Sequence, residues 1–173
     1  MTSGLKAEKA QSINPVIGIN MKTILLSFKA DVYRKFITGE KKYEHRKVFP
    51  NEPVKAYLYV SAPVKAVVGI MHLNNKTAIE VWKEKYSYDD KAVERITNYL
   101  QHHKYAMEIL DFQDTNKISL DQLRIDLPGF VVPQMYYFID DTPLLGYLER
   151  NLTPCGAKIM HDFSNVTSDQ ICK

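Results

Sequence analysis

Cysteine is nearly absent from this chain, and the two that exist, Cys155 and Cys172, both fall late. Two thiols without C-x-x-C spacing build neither a zinc site nor a disulfide framework, and they suit a reducing compartment. No apolar run approaches the roughly 20 residues that a bilayer-spanning helix needs, so no membrane is expected. The opening MTSGLKAEKAQSINPVIGIN lacks a basic segment followed by an apolar one. Secretion is therefore not expected, and a cytoplasmic location is. Glycine is sparse, 7 in 173 residues, and forms neither a P-loop nor a G-x-G-x-x-G turn. No cofactor is expected. His45, His72, His102, His103 and His161 show no H-E-x-x-H or Cys/His spacing, which argues against a metal.

Net charge is also low, at +3, too little by itself to imply nucleic acid. Its distribution says more. Residues 22–47 carry eight basic against three acidic residues, a net of +5 that leaves −2 for everything else. A positive patch on a near-neutral body suits an anionic ligand. Surface lysines clustered without a ligand would give the same pattern.

Apolar residues, by contrast, make up 45% of the chain, enough for a real core within the length of one domain. Residues 1–20 show no sustained period and read as an N-terminal arm, with the domain proper at 21–140 and a C-terminal helix and tail at 141–173. Thr23–Phe28, TILLSF, reads as a buried strand. Asp31–Thr38 follows as a short helix with Val32, Tyr33, Phe36 and Ile37 on one face, and Gly39 sits where a left-handed cap is wanted. Lys42–Lys47 alternates as a strand that puts Lys42, Glu44 and Arg46 on one face and Tyr43, His45 and Lys47 on the other.

Further strands are expected at Lys55–Val60, Val64–Leu73, Tyr105–Phe112 and Met135–Ile139, with a short strand and turn at Ile118–Leu123. Gly69 inside Val64–Leu73 suggests a bulge or a close backbone approach. Helices are expected at Thr77–Tyr86, Asp89–Gln101 and Thr142–Asn151, the last capped by Thr142 with Pro143 in its first turn. After Pro154 the pattern fades into a tail. Strands dominate, with helices inserted after the first and third. That order argues an α+β fold with a mostly antiparallel, closed sheet.

The segment ILLSFKADVYRKFITGEKKYEHRK resembles the strand, helix and G-x-K-x-x-[ET]-x-R motif of the ASCH family, here Gly39, Lys41, Glu44 and Arg46. AYLYVSAPVKAVVGIMHL resembles the paired strands that follow, joined at a Ser-x-Pro-Val turn. YAMEILDFQDTNKISLDQL and VVPQMYYFI resemble the closing strands. Together the match spans about Met21 to Asp140. The resemblance implies a PUA-like small β-barrel with flanking helices and a cleft beside the motif. It also implies RNA or nucleotide as the partner. In some members it implies amidohydrolase activity on acetylated cytidine, or ribonuclease activity. In the amidohydrolases the motif lysine, a threonine three residues on and a downstream glutamate form the catalytic core. Lys41 holds the lysine position, but Glu44 stands where the threonine would be. Glu80 and Glu84, on the helix after the third strand, are candidates for the downstream acid.

Arg46 can pair bidentately with a phosphate or carboxylate, or it can brace Glu44 on the same strand face. Lys41 can contact an anion or, if desolvated, act as a nucleophile or base; a solvated turn lysine is the plain alternative. Glu44 can serve as a general base, accept the exocyclic amine of a base, or cancel the charge of Lys41 or Arg46. Tyr43, Tyr59 and Tyr136 are candidate stacking platforms, although aromatics on strands more often belong to the core. Ser27 and Lys29 end the first strand near the expected cleft, and Ser61 at the turn offers an anion a donor. Three functions follow: an RNA- or nucleotide-binding module, a small hydrolase using Lys41 and Glu44, or a protein-interaction domain with an inert cleft.

Overall fold

The structure is a computed structural model that describes residues 21–173; the arm read at 1–20 lies outside the described residues. The first strand, β1 (Lys22–Phe28), carries the apolar run Ile24–Leu26 at its centre because both of its faces are covered there. Ile24, Leu26 and Phe28 enter one core and Leu25 another, each at most 4% exposed. Helix α1 (Ala30–Ile37) lays Tyr33 and Phe36 on the first core and stops at Gly39, whose φ of +72° is the left-handed turn a side chain would resist.

Strands β2 (Tyr43–Arg46), β3 (Val54–Val60) and β4 (Ala66–Ala78) follow, then helices α2 (Val81–Lys85) and α3 (Asp90–Leu100). The chain continues through β5 (Tyr105–Ser119), α4 (Leu120–Asp126), β6 (Tyr136–Phe138), α5 (Pro143–Asn151) and β7 (Ile159–Met160). The sheet order is β2-β5-β4-β3-β1-β6, with β7 beside β5. All pairings are antiparallel except β1 with β3, which run parallel in register from Lys22 opposite Val54 to Phe28 opposite Val60.

The fold is α+β and PUA-like, a curled mixed sheet with flanking helices. It differs from the sequence reading in closure. The end strands β2 and β6 are not hydrogen-bonded to each other, which leaves a half-barrel open along one side. Both are short, four and three residues, and offer few groups for closure. Gly69 is a bulge and a close approach together. The β4–β5 register slips between Val67 and Gly69, and a Cβ at Gly69 would lie 2.8 Å from the Phe112 ring and 2.9 Å from the Gln113 carbonyl oxygen.

Three further expectations are corrected. Thr77 and Ala78 finish β4 rather than start a helix, because register slips carry the strand past Asn74 and Asn75. Ile118–Leu123 is not a strand and turn: β5 runs to Ser119, whose hydroxyl accepts from the Gln122 amide and starts α4. The stretch after Pro154 is no loose tail, because β7 pairs with β5 and Ile171 and Cys172 are at most 2% exposed. They join Tyr43, Ile79, Trp82 and Ile96 in a third core beyond β2.

Candidate functional site

The open side of the half-barrel is a cleft of about 630 Å³. Three local features assemble it. The parallel strands β1 and β3 end side by side, so Lys29 and Ser61 emerge at the same level, with the Ser61 amide donating to the Phe28 carbonyl at 2.9 Å. The Gly39 turn carries Lys41 back under α1, where its amide donates to the Lys35 carbonyl. Strand β2 then presents Glu44 and Arg46 toward β1, as period-two alternation requires.

Arg46 spans the seam. Its Nε donates to Glu44 Oε1 at 2.7 Å, its Nη2 donates to the Ser27 carbonyl at 2.8 Å, and its guanidinium carbon lies 5.1 Å from the centre of the Phe28 ring. The bracing role is therefore the one its geometry displays. Glu44 is 5% exposed, and its second oxygen, Oε2, is buried without a hydrogen-bond partner. Lys41 Nζ lies 4.0 Å from it, beyond hydrogen-bond reach.

Lys41 is 7% exposed. Its amine donates to the Lys173 carbonyl at 2.6 Å and lies 3.3 Å from His45 Nδ1. The direction of that contact follows the charge of the amine, since an ammonium can only donate to the ring whereas a neutral amine can also accept from it; His45 Nε2 is buried without a partner. Burial lowers the Lys41 pKa below the ordinary lysine value; Glu44 opposes the shift, while Lys35 and Arg46 add to it. Burial likewise holds His45 well below 6.5, reinforced by Lys41 and His103. His103, on the same wall, is lowered chiefly by burial. The lining carries five cations, Lys29, Lys35, Lys41, Arg46 and Lys173, against the two acids Asp31 and Glu44.

The structure thus gathers Ser27, Lys29, Lys41, Glu44, Arg46 and Ser61 around one cavity. It does not bring the tyrosines there. Tyr43 faces the third core, edge-on to Trp82 and Phe163, and Tyr59 is 2% exposed in the core beneath α4 and α5. Tyr136 packs on Phe49 and Phe138. Glu80 and Glu84 are exposed around α2, Glu80 paired with Lys83, and neither lines the cleft. His45, Tyr99, His103 and Lys173 do line it and were not read as site residues from the sequence. For His45 a signal existed, since it lies inside the octapeptide GEKKYEHR, but its spacing was weighed only against metal motifs. Among the described residues no group of three or more His, Cys, Asp or Glu side chains could hold a metal ion, and no helix is long and apolar enough to cross a membrane.

Neither a protein-family model nor a curated protein matches this sequence. Solved structures do. ASCH from Zymomonas mobilis superposes with a TM-score of 0.59 at 20% identity, over 76% of this chain and 96% of that one. Two single-substitution mutants of the same protein match over 76% of this chain, with TM-scores of 0.59 and 0.57 at 20% and 18% identity, covering 97% and 99% of theirs. At this identity the likeness speaks for architecture alone: the chain carries an ASCH-like, PUA-like domain fold.

Proposed function

We propose that the cleft binds a nucleotide or modified nucleoside, free or within RNA. The observation that carries this reading is Glu44 Oε2, a buried acceptor left without a partner in a cavity lined by five cations and two acids. A buried carboxylate oxygen is costly until a donor reaches it. The exocyclic amine of a nucleobase is such a donor. Phosphate oxygens suit the rim, where Lys29 is exposed and Lys35 half-buried. The cavity volume of about 630 Å³ lies within the usual small-ligand range, which favours one nucleotide over a long strand.

One observation favours a second reading, the small hydrolase. Burial draws the Lys41 amine toward its neutral form, in which it can take a proton from a water attacking an amide of a bound acylated nucleoside. Both readings are tested together by calorimetric titration of cytidine, N4-acetylcytidine, cytidine monophosphate and a short single-stranded RNA at two salt concentrations, with chromatography for product. Nucleotide affinity is expected to fall with added salt, and Glu44→Gln is expected to weaken ligands bearing an exocyclic amine most. Lys41→Ala is expected to abolish any product while some binding survives. If the unmutated protein binds none of the four at low salt and yields no product, both readings fail and the interaction-domain reading replaces them.

A further inference from the structure

The end of the strap that follows β7 lies inside the cleft, a contact neither reading above calls on. Its course is fixed along its whole length. The His161 amide donates to the Leu110 carbonyl at 3.1 Å, and Lys42 Nζ donates to the Asp162 carbonyl at 3.2 Å. Phe163 packs edge-on to Tyr43, with ring centres 5.3 Å apart. Ser168 is held from both sides: its hydroxyl donates to Asp89 Oδ2 at 2.6 Å, and its carbonyl accepts from Arg95 Nη2 at 2.6 Å. Ile171 is fully buried in the third core, and Cys172 turns the chain with a φ of +54°, a conformation that residues with a Cβ rarely adopt. The next carbonyl is the one that accepts from Lys41.

We infer that this strap is a positioning element of the cleft: through the main-chain oxygen of Lys173 it fixes the Lys41 amine beside His45 and Glu44, and it keeps that amine buried. The groups facing the amine are Glu44, His45 and Arg46 from β2, Lys35 from α1, His103 beyond α3, and Cys172 from the strap. None of them holds Nζ as closely as the Lys173 carbonyl, at 2.6 Å against 3.3 Å for His45 Nδ1. The acceptor is main chain, so the assignment depends on where the strap runs and not on the side chain at 173. It is independent of which ligand the cleft takes.

The test follows Lys41 itself. Reductive methylation with formaldehyde and borohydride, read residue by residue by mass spectrometry from neutral to alkaline pH, is compared across three full-length proteins. In the unmutated chain Lys41 is expected to react slowly, with a midpoint below the ordinary lysine value. Ile171→Asp puts a carboxylate into the third core and undocks the strap; Lys41 is then expected to lose its protection and its midpoint to rise toward the ordinary value. Lys173→Ala keeps the main-chain oxygen and is expected to match the unmutated chain. Unchanged Lys41 chemistry in a folded Ile171→Asp protein would overturn the assignment, as would full exposure of Lys41 in Lys173→Ala. If Ile171→Asp does not fold, NMR of the unmutated chain decides: a nuclear Overhauser contact between the Lys41 side-chain end and Lys173 is expected, and its absence overturns the proposal.

Discussion

Arg46 on β2 reaches the Ser27 carbonyl on β1 at 2.8 Å, across the side where the sheet fails to close, while its Nε holds Glu44 at 2.7 Å. One guanidinium thus ties two strands that share no ladder and neutralises a carboxylate that is 5% exposed. Arg46→Ala leaves that charge buried and unpaired. The expected loss is about 3 kcal/mol in denaturant unfolding, the usual size when one partner of a buried pair is removed. Adding Glu44→Gln to Arg46→Ala should recover part of it. A single mutant within experimental error of the parent would mean that the seam contact carries no stability.

Acid should weaken the fold through His45 before the carboxylates titrate. Its native pKa lies well below 6.5, so as pH falls through 6.5 the unfolded chain takes up a proton that the native state refuses. The stability this depression contributes is complete above 6.5 and is lost below it, by up to about 1.4 kcal/mol per pH unit. His103 is shifted in the same direction. Urea melts at pH 7.5, 6.5 and 5.5 should show the decline, and His45→Gln should flatten it. Parallel slopes in the two proteins would contradict the assignment.

Gly69→Ala tests the bulge. The new Cβ meets a backbone carbonyl at 2.9 Å as well as the Phe112 ring at 2.8 Å, so the strand itself must shift. Overpacking of this kind costs about 1–3 kcal/mol, measurable as a lower denaturation midpoint. An unchanged midpoint would mean that β4 can move there freely.

Ser119→Ala tests the start of α4. The Ser119 hydroxyl accepts from the Gln122 amide at 3.1 Å, and losing such a cap costs about 1 kcal/mol. Faster amide exchange over Leu120–Leu123 should accompany it. A segment that behaved as a strand would not respond in this way.

Much of the frame is legible in the chain because it rests on short-range pattern. TILLSF names a strand covered on both faces, Gly39 names a left-handed turn, and Thr142-Pro143 names a helix start. The motif residues meet in one cleft because alternation along β2 puts Glu44 and Arg46 on one face, while the Gly39 turn folds Lys41 back beside them. Ser119 and Gln122 carried a readable start signal that the β-branched Ile118 masked. The strap is different in kind. It is held by side chains meeting backbone groups far along the chain, Arg95 with Ser168 and Lys42 with Asp162, and such contacts leave no period to detect. The tyrosines show the reverse: Tyr43, Tyr59 and Tyr136 sit on strands where a stacking platform could stand, yet each is packed against other side chains.

The parallel pairing of β1 and β3 has a consequence for how this domain can change. Because both strands terminate at the Phe28–Val60 pair, the segments that leave them, Lys29 onward and Ser61 onward, stand together at the mouth of the cleft, and past the Ser61 amide they add nothing to the β1–β3 ladder. Substitutions or insertions there redraw what the mouth admits without disturbing the ladder beneath. Lys41, Glu44 and Arg46 are built into the frame and have no such freedom. The domain therefore separates a fixed floor from a variable doorway, which can change in shape and charge while the floor and the fold stay as they are.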